Sequence, residues 1–180
     1  RSGAIHLYIH LTEWSDDPHK AIPYGERLAE LAPGASHLVH MPSHTFYRVG
    51  RYRDAMNSNI NAVALDRRYD ELARPPGGVA GMPLHGHNIH FGMGGALMAG
   101  GAEQGLVLAE RFLTMYANNP RMDMLWGQAM SNNAYALYGR YGTSEQIAAL
   151  PEPPESRPLQ RAGLRYARGE AAARVGDAAE

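Results

Sequence analysis

Apolar and small residues along the chain recur in blocks that predict pairs of helices joined by short turns. In residues 36–69 the first helix carries Ser43, a turn follows at Gly50, and the second helix carries Ala55 and Ala62. Small residues are expected at these positions because the two helices of a pair must approach each other closely. Hydrophobic residues make up 44% of the chain, which is enough for a continuous core. The pattern predicts an all-α fold.

The blocks repeat with a period of 34 residues. His6 and His40 are 34 residues apart, and so are His10 and His44. This is the period of the tetratricopeptide repeat, in which antiparallel helix pairs stack on their neighbours. The residues that match the family pattern in the first two blocks are Pro33, Ser43, Phe46, Gly50, Tyr52, Ala55 and Ala62. The chain therefore resembles a tetratricopeptide-repeat protein, and the resemblance implies an α-solenoid of antiparallel helix pairs.

The resemblance covers nearly the whole chain, residues 1–180, as a single superhelical domain. The predicted units are residues 2–35, 36–69, 86–120, 125–150 and 158–180. His40 and His90 are 50 residues apart, which is one period plus 16 residues, and the proline-glycine run at 75–78 predicts a loop in this insertion. Because the chain opens on Arg1 rather than methionine, we expect a fragment of a longer protein.

Composition narrows the classes of partner. The formal net charge is −1 and the calculated isoelectric point is about 6.8, so no basic surface for nucleic acid is predicted. No apolar run approaches the ~18 residues of a membrane-spanning helix, and we expect a soluble chain. The absence of cysteine excludes disulfides and thiolate ligands. Any metal must therefore be held by nitrogen and oxygen atoms.

Nine histidines all lie between His6 and His90, which calls for a local cause. In the family that the chain resembles, the first helix of each pair lines a concave groove. Alignment with the family places seven histidines and two further residues at groove-facing positions of three successive units. The histidines are His6, His10, His37, His40, His44, His87 and His90, and the further residues are Glu13 and Tyr47. We predict that the histidines are metal ligands, with His6, His10, His40, His44 and His90 as the principal ligands and His37 and His87 as an extension of the site. Glu13 and Tyr47 are predicted to contact these ligands or a substrate.

Helix geometry supports this chemistry independently of the family. Residues four apart lie on one helix face with Cβ atoms roughly 6 Å apart. The pairs His6–His10 and His40–His44 can therefore each chelate one ion, as two histidines do in metal-binding helices. Because a ligating imidazole must be neutral, we expect metal binding to weaken as pH falls through the unperturbed histidine pKa of about 6.5.

These observations predict a metal-binding repeat protein that holds one or two transition-metal ions in its groove. Histidine-rich sites suit zinc or copper best, and iron or nickel are also accepted. If a coordination position stays open, the same site would be a metal-dependent hydrolase or oxidase acting on a small molecule or peptide. The alternative is a metal-free scaffold that binds a peptide or protein partner in the groove. The histidine-rich first helices resemble those of certain bacterial tetratricopeptide-repeat proteins, and no catalytic residue is assigned.

Three residues near the histidines raise local questions. Pro42 removes one helical hydrogen bond and clashes with the carbonyl of the residue four before it, so the helix either starts there or kinks. The 34-residue register favours a kink. Met41, adjacent to His40, is predicted to face the core. His85 precedes the third pair and is interpreted as either a loop ligand or a residue with no role.

Overall fold

The computed structural model describes residues 1–176, and every regular element among these residues is helical. The predicted all-α class is therefore confirmed, whereas the tetratricopeptide arrangement stays a prediction. The chain divides into two compact units, Arg1–Ala99 and Gly100–Glu180. The division falls within residues 86–120, the predicted third repeat. The last four residues of the predicted fifth repeat, 177–180, lie outside the described residues.

The first unit consists of seven helices and a 3-10 turn. The helices are α1 (Ser2–Thr12), α2 (Ile22–Leu31), α3 (Ser36–His40), α4 (Pro42–Arg48), α5 (Tyr52–Ala73), α6 (Gly78–Gly81) and α7 (His85–Ala99), and the turn is Pro18–Ala21. Helix α1 packs against α2 and α4, and α5 packs against α3, α4 and α7. The histidine-bearing helices α1, α3, α4 and α7 thus belong to one packed unit.

A small apolar cluster holds α1 against its neighbours. Its buried members are Ile5, Ile9, Ala21, Leu28 and Met41. Met41 is fully buried in this cluster, which confirms its predicted orientation toward the core. Burial of Ile5 and Ile9 on one face of α1 leaves the histidines of the same helix on another face.

The helix that carries His40 and His44 is interrupted at Met41. Helix α3 ends at His40 and α4 begins at Pro42, but Met41 itself has right-handed helical dihedral angles (φ −51°, ψ −39°). The chain therefore continues in the helical direction, because proline is tolerated in the first turn of a helix. His40 and His44 remain close to each other across the break, as the predicted kink requires.

A glycine sets the closest approach between α5 and α7. A Cβ atom added to Gly95 would lie 2.8 Å from the backbone nitrogen of Met56. This distance is shorter than real Cβ contacts, so only glycine allows the two helices to lie this close. The approach matters for the site because α7 carries His87 and α5 supplies partners to the histidines.

The second unit contains no histidine. It comprises α8 (Ala102–Tyr116), α9 (Leu125–Tyr141), α10 (Ser144–Ala148), α11 (Pro158–Val175) and the 3-10 turn Pro120–Asp123. Buried Arg157 ties its loops together: Nε donates to Asp123 Oδ1 over 2.7 Å, and Nη1 donates to the carbonyl of Ala117 over 2.7 Å. Across the described part of the chain, no helix combines the length and the apolar character needed to cross a membrane.

Candidate metal centre

Six of the seven predicted histidines form one continuous cluster in the first unit. In spatial order they are His37, His6, His10, His44, His40 and His87, and the ring centroids of successive members lie 4.6 to 5.2 Å apart. Helices α1, α3, α4 and α7 each contribute to the cluster. Two groups of three within it could each hold a metal ion, since the ligand atoms of each group lie within 4.8 Å of one another.

The first group, which we call the inner triad, is His40, His44 and His87. The Nε2 atom of His40 lies 3.0 Å from the Nε2 atoms of both His44 and His87. Nitrogens that bind one tetrahedral zinc at ~2.0–2.1 Å lie about 3.3 Å from each other. His40 is fully buried and His44 is nearly so. Two of the three nitrogen–nitrogen distances in the inner triad are thus close to those around one ion, and the ligand atoms of all three residues lie within 4.8 Å of one another.

The neighbours of His40 decide which of its ring nitrogens carries the proton. Asn59 Nδ2 donates to the carbonyl of Ala55 over 2.8 Å, so the amide oxygen must face the ring. That oxygen lies 2.6 Å from His40 Nδ1. A carbonyl oxygen can only accept, so Nδ1 carries the hydrogen and, in the neutral ring, Nε2 presents a lone pair.

The same argument applies to His44. Its Nδ1 lies 2.7 Å from Oε2 of Glu13. A carboxylate accepts this hydrogen bond, so Nδ1 is the donor and Nε2 again presents a lone pair. Two lone pairs therefore face each other at 3.0 Å, and they cannot form a hydrogen bond unless one ring takes up a further proton.

Burial opposes that further proton. Desolvation lowers the pKa of His40 to about 2 and that of His87 to about 4, and it also lowers the pKa of His44. The neighbouring imidazoles act in the same direction, because a charged ring would repel any other charged ring. At neutral pH the rings stay neutral, and a cation between the Nε2 atoms would satisfy both lone pairs without protonation.

The second group, the outer triad, is His6, His10 and His37, and all three side chains are half-buried. Nε2 of His6 and Nδ1 of His37 are buried atoms without a hydrogen-bond partner. Burial lowers the pKa of His37 to about 4. The pKa of His6 is also lowered, mainly by burial and to a smaller extent by electrostatic repulsion from His10. His6 and His37 of the outer triad therefore also present neutral rings at neutral pH.

Glu13 connects the two triads. Its Oε1 accepts a hydrogen bond from His10 Nδ1 over 2.9 Å, and its Oε2 accepts from His44 Nδ1. Glu13 was predicted to contact the ligands or a substrate, and the structure places it against two of the candidate ligands. His10, Glu13 and His44 make up a third group with the spacing of a metal site.

Phe91 on α7 covers one side of the inner triad. Its ring centroid lies 4.9 Å from that of His40 and 4.7 Å from those of His44 and His87. The hydroxyl of Tyr47 donates to the backbone carbonyl of Phe91, and burial raises the pKa of Tyr47 above its usual value. Tyr47 was predicted to contact ligands or substrate; in the structure its hydroxyl instead anchors the segment that carries Phe91.

The structure does not bring His90 into any group of described residues that could hold a metal. Its ring centroid lies 6.1 Å from that of Phe91. His87 and His90 are three residues apart, which rotates one from the other by about 60° around the helix axis. The side of α7 that reaches His40 is the side of His87. The geometry therefore favours His87 over His90 as a ligand beside His40, whereas the sequence analysis ranked His90 above His87.

The sequence predicted either a ligand role or no role for His85. The structure shows that His85 has a hydrogen-bond partner. It is buried at the start of α7, and its Nδ1 lies 2.9 Å from Oδ2 of Asp66. Asn88 Nδ2 donates to the same carboxylate oxygen over 3.1 Å. This buried network joins α7 to α5 and orients the helix that carries His87.

The sequence analysis did not identify three residues of the site: Asn59, Asp66 and Phe91. A signal for the first two lies in the periodicity of α5, whose buried face is Ala55, Met56, Asn59, Ala62, Val63 and Asp66. A polar residue on the apolar face of a helix requires a buried hydrogen-bond partner. Asn59 and Asp66 find those partners in His40 and His85. No comparable signal marks Phe91, because an aromatic residue on a buried helix is an ordinary core residue.

Comparison of the chain with protein-family models, with curated proteins and with solved structures finds no match in any of the three. The tetratricopeptide resemblance therefore stays a prediction, which rests on the 34-residue spacing and the small residues described above. The function of the histidine cluster must be argued from its own geometry.

Proposed function

We propose that the protein binds a transition-metal ion through the Nε2 atoms of His40, His44 and His87. The observation that carries this proposal is the convergence of three Nε2 atoms, at 3.0 Å from His40 to each of the others, while the Nδ1 protons of His40 and His44 are held by Asn59 and Glu13. Metal-ligating histidines commonly donate their other ring nitrogen to a carboxylate or carbonyl oxygen in this way, which orients the ring and increases its basicity.

The donor set favours zinc or copper. Neutral imidazoles suit both metals, and the Irving–Williams order gives them higher affinity than iron(II) for such a site. Nickel is a weaker candidate than copper on the same grounds. Because the rings are pre-oriented by Asn59 and Glu13, binding requires little rearrangement of the side chains.

Three nitrogen ligands favour a reactive centre over a structural one. Structural zinc sites are usually closed by four protein ligands, whereas catalytic sites keep three and leave a position for water or substrate. A zinc ion bound by three histidines supplies an activated water for hydrolysis at neutral pH. Metal-dependent hydrolysis is therefore the second function that we propose for the inner triad, with Phe91 excluding solvent from one side.

The metal-free peptide scaffold accounts less well for the geometry. Histidines that recognise a peptide would direct a donor or an acceptor toward the partner. In the inner triad, however, Nε2 of His40 is directed at two other imidazole nitrogens and the ring is fully buried. A peptide backbone has no access to this atom.

The test is metal analysis of protein purified without chelator and after reconstitution with Zn²⁺. We expect at least one equivalent per chain in the wild type, and loss of one tightly bound equivalent in the His40→Ala, His87→Ala double variant. The matched control is His19→Ala, because His19 is exposed on the 3-10 turn and lies in no candidate group.

Circular dichroism should first show that the variants keep the helical content of the wild type. Zinc well below one equivalent in the reconstituted wild type would contradict the proposal. So would an unchanged stoichiometry and affinity in the double variant. The open coordination position is tested in Co²⁺-substituted protein, whose visible spectrum should change when azide is added.

A further inference from the structure

We propose that His6, His10 and His37 form a second transition-metal site, coupled to the first through the carboxylate of Glu13. This inference rests on the proposed function, since the coupling requires that the inner triad also binds an ion. The protein would then hold a pair of metal ions in one histidine cluster, with different exposure to solvent.

The first argument is the unmet hydrogen bonding of the outer triad. Nε2 of His6 and Nδ1 of His37 are buried and have no hydrogen-bond partner. A buried polar atom without a partner destabilises the fold, so such atoms are uncommon and indicate a function or a ligand. Both residues belong to a group of three in which one ligand atom of each residue lies within 4.8 Å of the others. Coordination of one ion would satisfy both.

The second argument is the position of Glu13. Each of its two oxygens accepts a hydrogen bond from a different histidine: Oε1 from His10 in the outer triad and Oε2 from His44 in the inner triad. Both histidines use Nδ1 for this contact, which leaves Nε2 of each as the ligand atom. A single carboxylate thus orients one ligand in each site, and its removal should weaken both.

The same geometry disfavours one central ion held by His10, Glu13 and His44. That ion would need the lone pairs of the two Nδ1 atoms, but at 2.9 and 2.7 Å from the carboxylate these atoms carry the donated hydrogens. The two arrangements make opposite predictions for Glu13. As a shared hydrogen-bond acceptor it tunes two sites, whereas as a ligand it is indispensable to one.

Exposure distinguishes the two sites. The inner triad includes fully buried His40 and lies against Phe91, while all three outer side chains are half-buried and 40% of the His10 side chain is exposed. An ion in the outer triad therefore exchanges with solvent and chelators more readily. We expect the inner triad to fill first and the outer triad to release its ion first.

The experiment is titration of the metal-free protein with Zn²⁺ in competition with a chromophoric chelator, with native mass spectrometry to count bound ions. We expect two equivalents in the wild type and one in the His6→Ala, His37→Ala variant. The His40→Ala, His87→Ala variant should also keep one. Glu13→Gln should keep two, each bound about 10- to 100-fold more weakly. The His6→Gln, His37→Gln variant repeats the test if the alanine variant loses helical content.

The outcomes separate this inference from the proposed function. One equivalent in the wild type that survives His6→Ala, His37→Ala but is lost in His40→Ala, His87→Ala would overturn the second site and support the first. One equivalent with the opposite dependence would overturn the inner site and the coupling. Loss of all tight binding in Glu13→Gln would support a single central ion and overturn both. Two equivalents with unchanged affinities in Glu13→Gln would overturn the coupling alone.

Discussion

At His40, the hydrogen bond to Asn59 determines which ring nitrogen is available as a ligand. Ala55 fixes the orientation of the Asn59 amide, and the amide fixes the tautomer of the imidazole. Ser43 Oγ lies 3.4 Å from the same Nδ1 atom, which is a weaker contact. Whether Nε2 of His40 can act as a ligand thus depends on Asn59, a residue outside the inner triad.

We expect Asn59→Ala to weaken zinc binding at the inner triad by about 10- to 100-fold without changing the number of ions bound, because His40 loses the acceptor that orients it. Asn59→Asp keeps an oxygen at this position and should restore much of the affinity. Competition titration measures both. The control is Asn57→Ala on the exposed side of the same helix. Equal affinities for Asn59→Ala and Asn57→Ala would show that the amide does not orient the ring.

The histidine pairs and Asn59 show which parts of the site can be predicted from the sequence. The pairs His6–His10 and His40–His44 follow from helical periodicity alone, since residues four apart share a face. The role of Asn59 does not follow from spacing, because it depends on where α5 packs against α3. A buried asparagine is expected to have a hydrogen-bond partner, but the sequence does not identify that partner.

At the scale of elements, α5 positions the cluster. It contributes Asn59 to His40, Asp66 to His85 and a close backbone contact at Met56 to Gly95 of α7. The last two contacts fix α7, and α7 presents His87 to the inner triad. A change in the distance between α5 and α7 should therefore affect both stability and metal affinity.

Gly95→Ala should destabilise the metal-free protein by about 1–3 kcal/mol, because the new Cβ atom would meet the Met56 backbone and force the helices apart. The control is Gly3→Ala, where a Cβ atom meets nothing within 4 Å. At that exposed helical position the change should be neutral or stabilising by up to about 1 kcal/mol. Urea unfolding measures both changes. Equal stability of the two variants would mean that α5 and α7 can separate without cost.

The relative roles of His87 and His90 show what periodicity cannot resolve. Both lie at groove-facing positions in the repeat alignment, and the 16-residue insertion before them leaves the register of α7 undetermined to within a fraction of a turn. The observed register depends on the His85–Asp66 contact and on Gly95, which are tertiary contacts. Turn positions were easier to predict: Gly50 has φ +79°, a conformation that favours glycine.

At the scale of the whole molecule, the histidine chemistry is confined to one unit. All nine histidines lie in residues 1–99, and the second unit is held by apolar helix contacts and the Arg157–Asp123 pair. Burying several imidazoles in one cluster has a thermodynamic consequence, because the folded protein resists a protonation that the unfolded chain accepts.

We therefore expect the metal-free protein to lose stability as pH falls from about 6.5 toward 4. In the unfolded chain the histidines titrate near a pKa of about 6.5. In the folded protein burial lowers the pKa of His37 and His87 to about 4 and that of His40 to about 2. Between these values the unfolded state binds more protons, so the stabilisation is complete above pH 6.5 and declines below it. Urea midpoints at pH 7.5, 6.0 and 5.0 measure the effect.

The same shifts revise the pH dependence that the sequence predicts for metal binding. Free imidazoles lose a metal as pH falls through 6.5, but His37, His40 and His87 of the folded cluster stay neutral well below that value. Zinc affinity of the folded protein should therefore remain nearly constant from pH 7.5 to 6.0, while the urea midpoint of the metal-free protein already falls. His19→Ala should keep the wild-type slope of the midpoint, and His87→Gln should flatten it, because one group with a lowered pKa is removed. A midpoint that does not change with pH, together with affinity that drops tenfold by pH 6.0, would mean that the imidazoles titrate as in water and that the cluster is open to solvent.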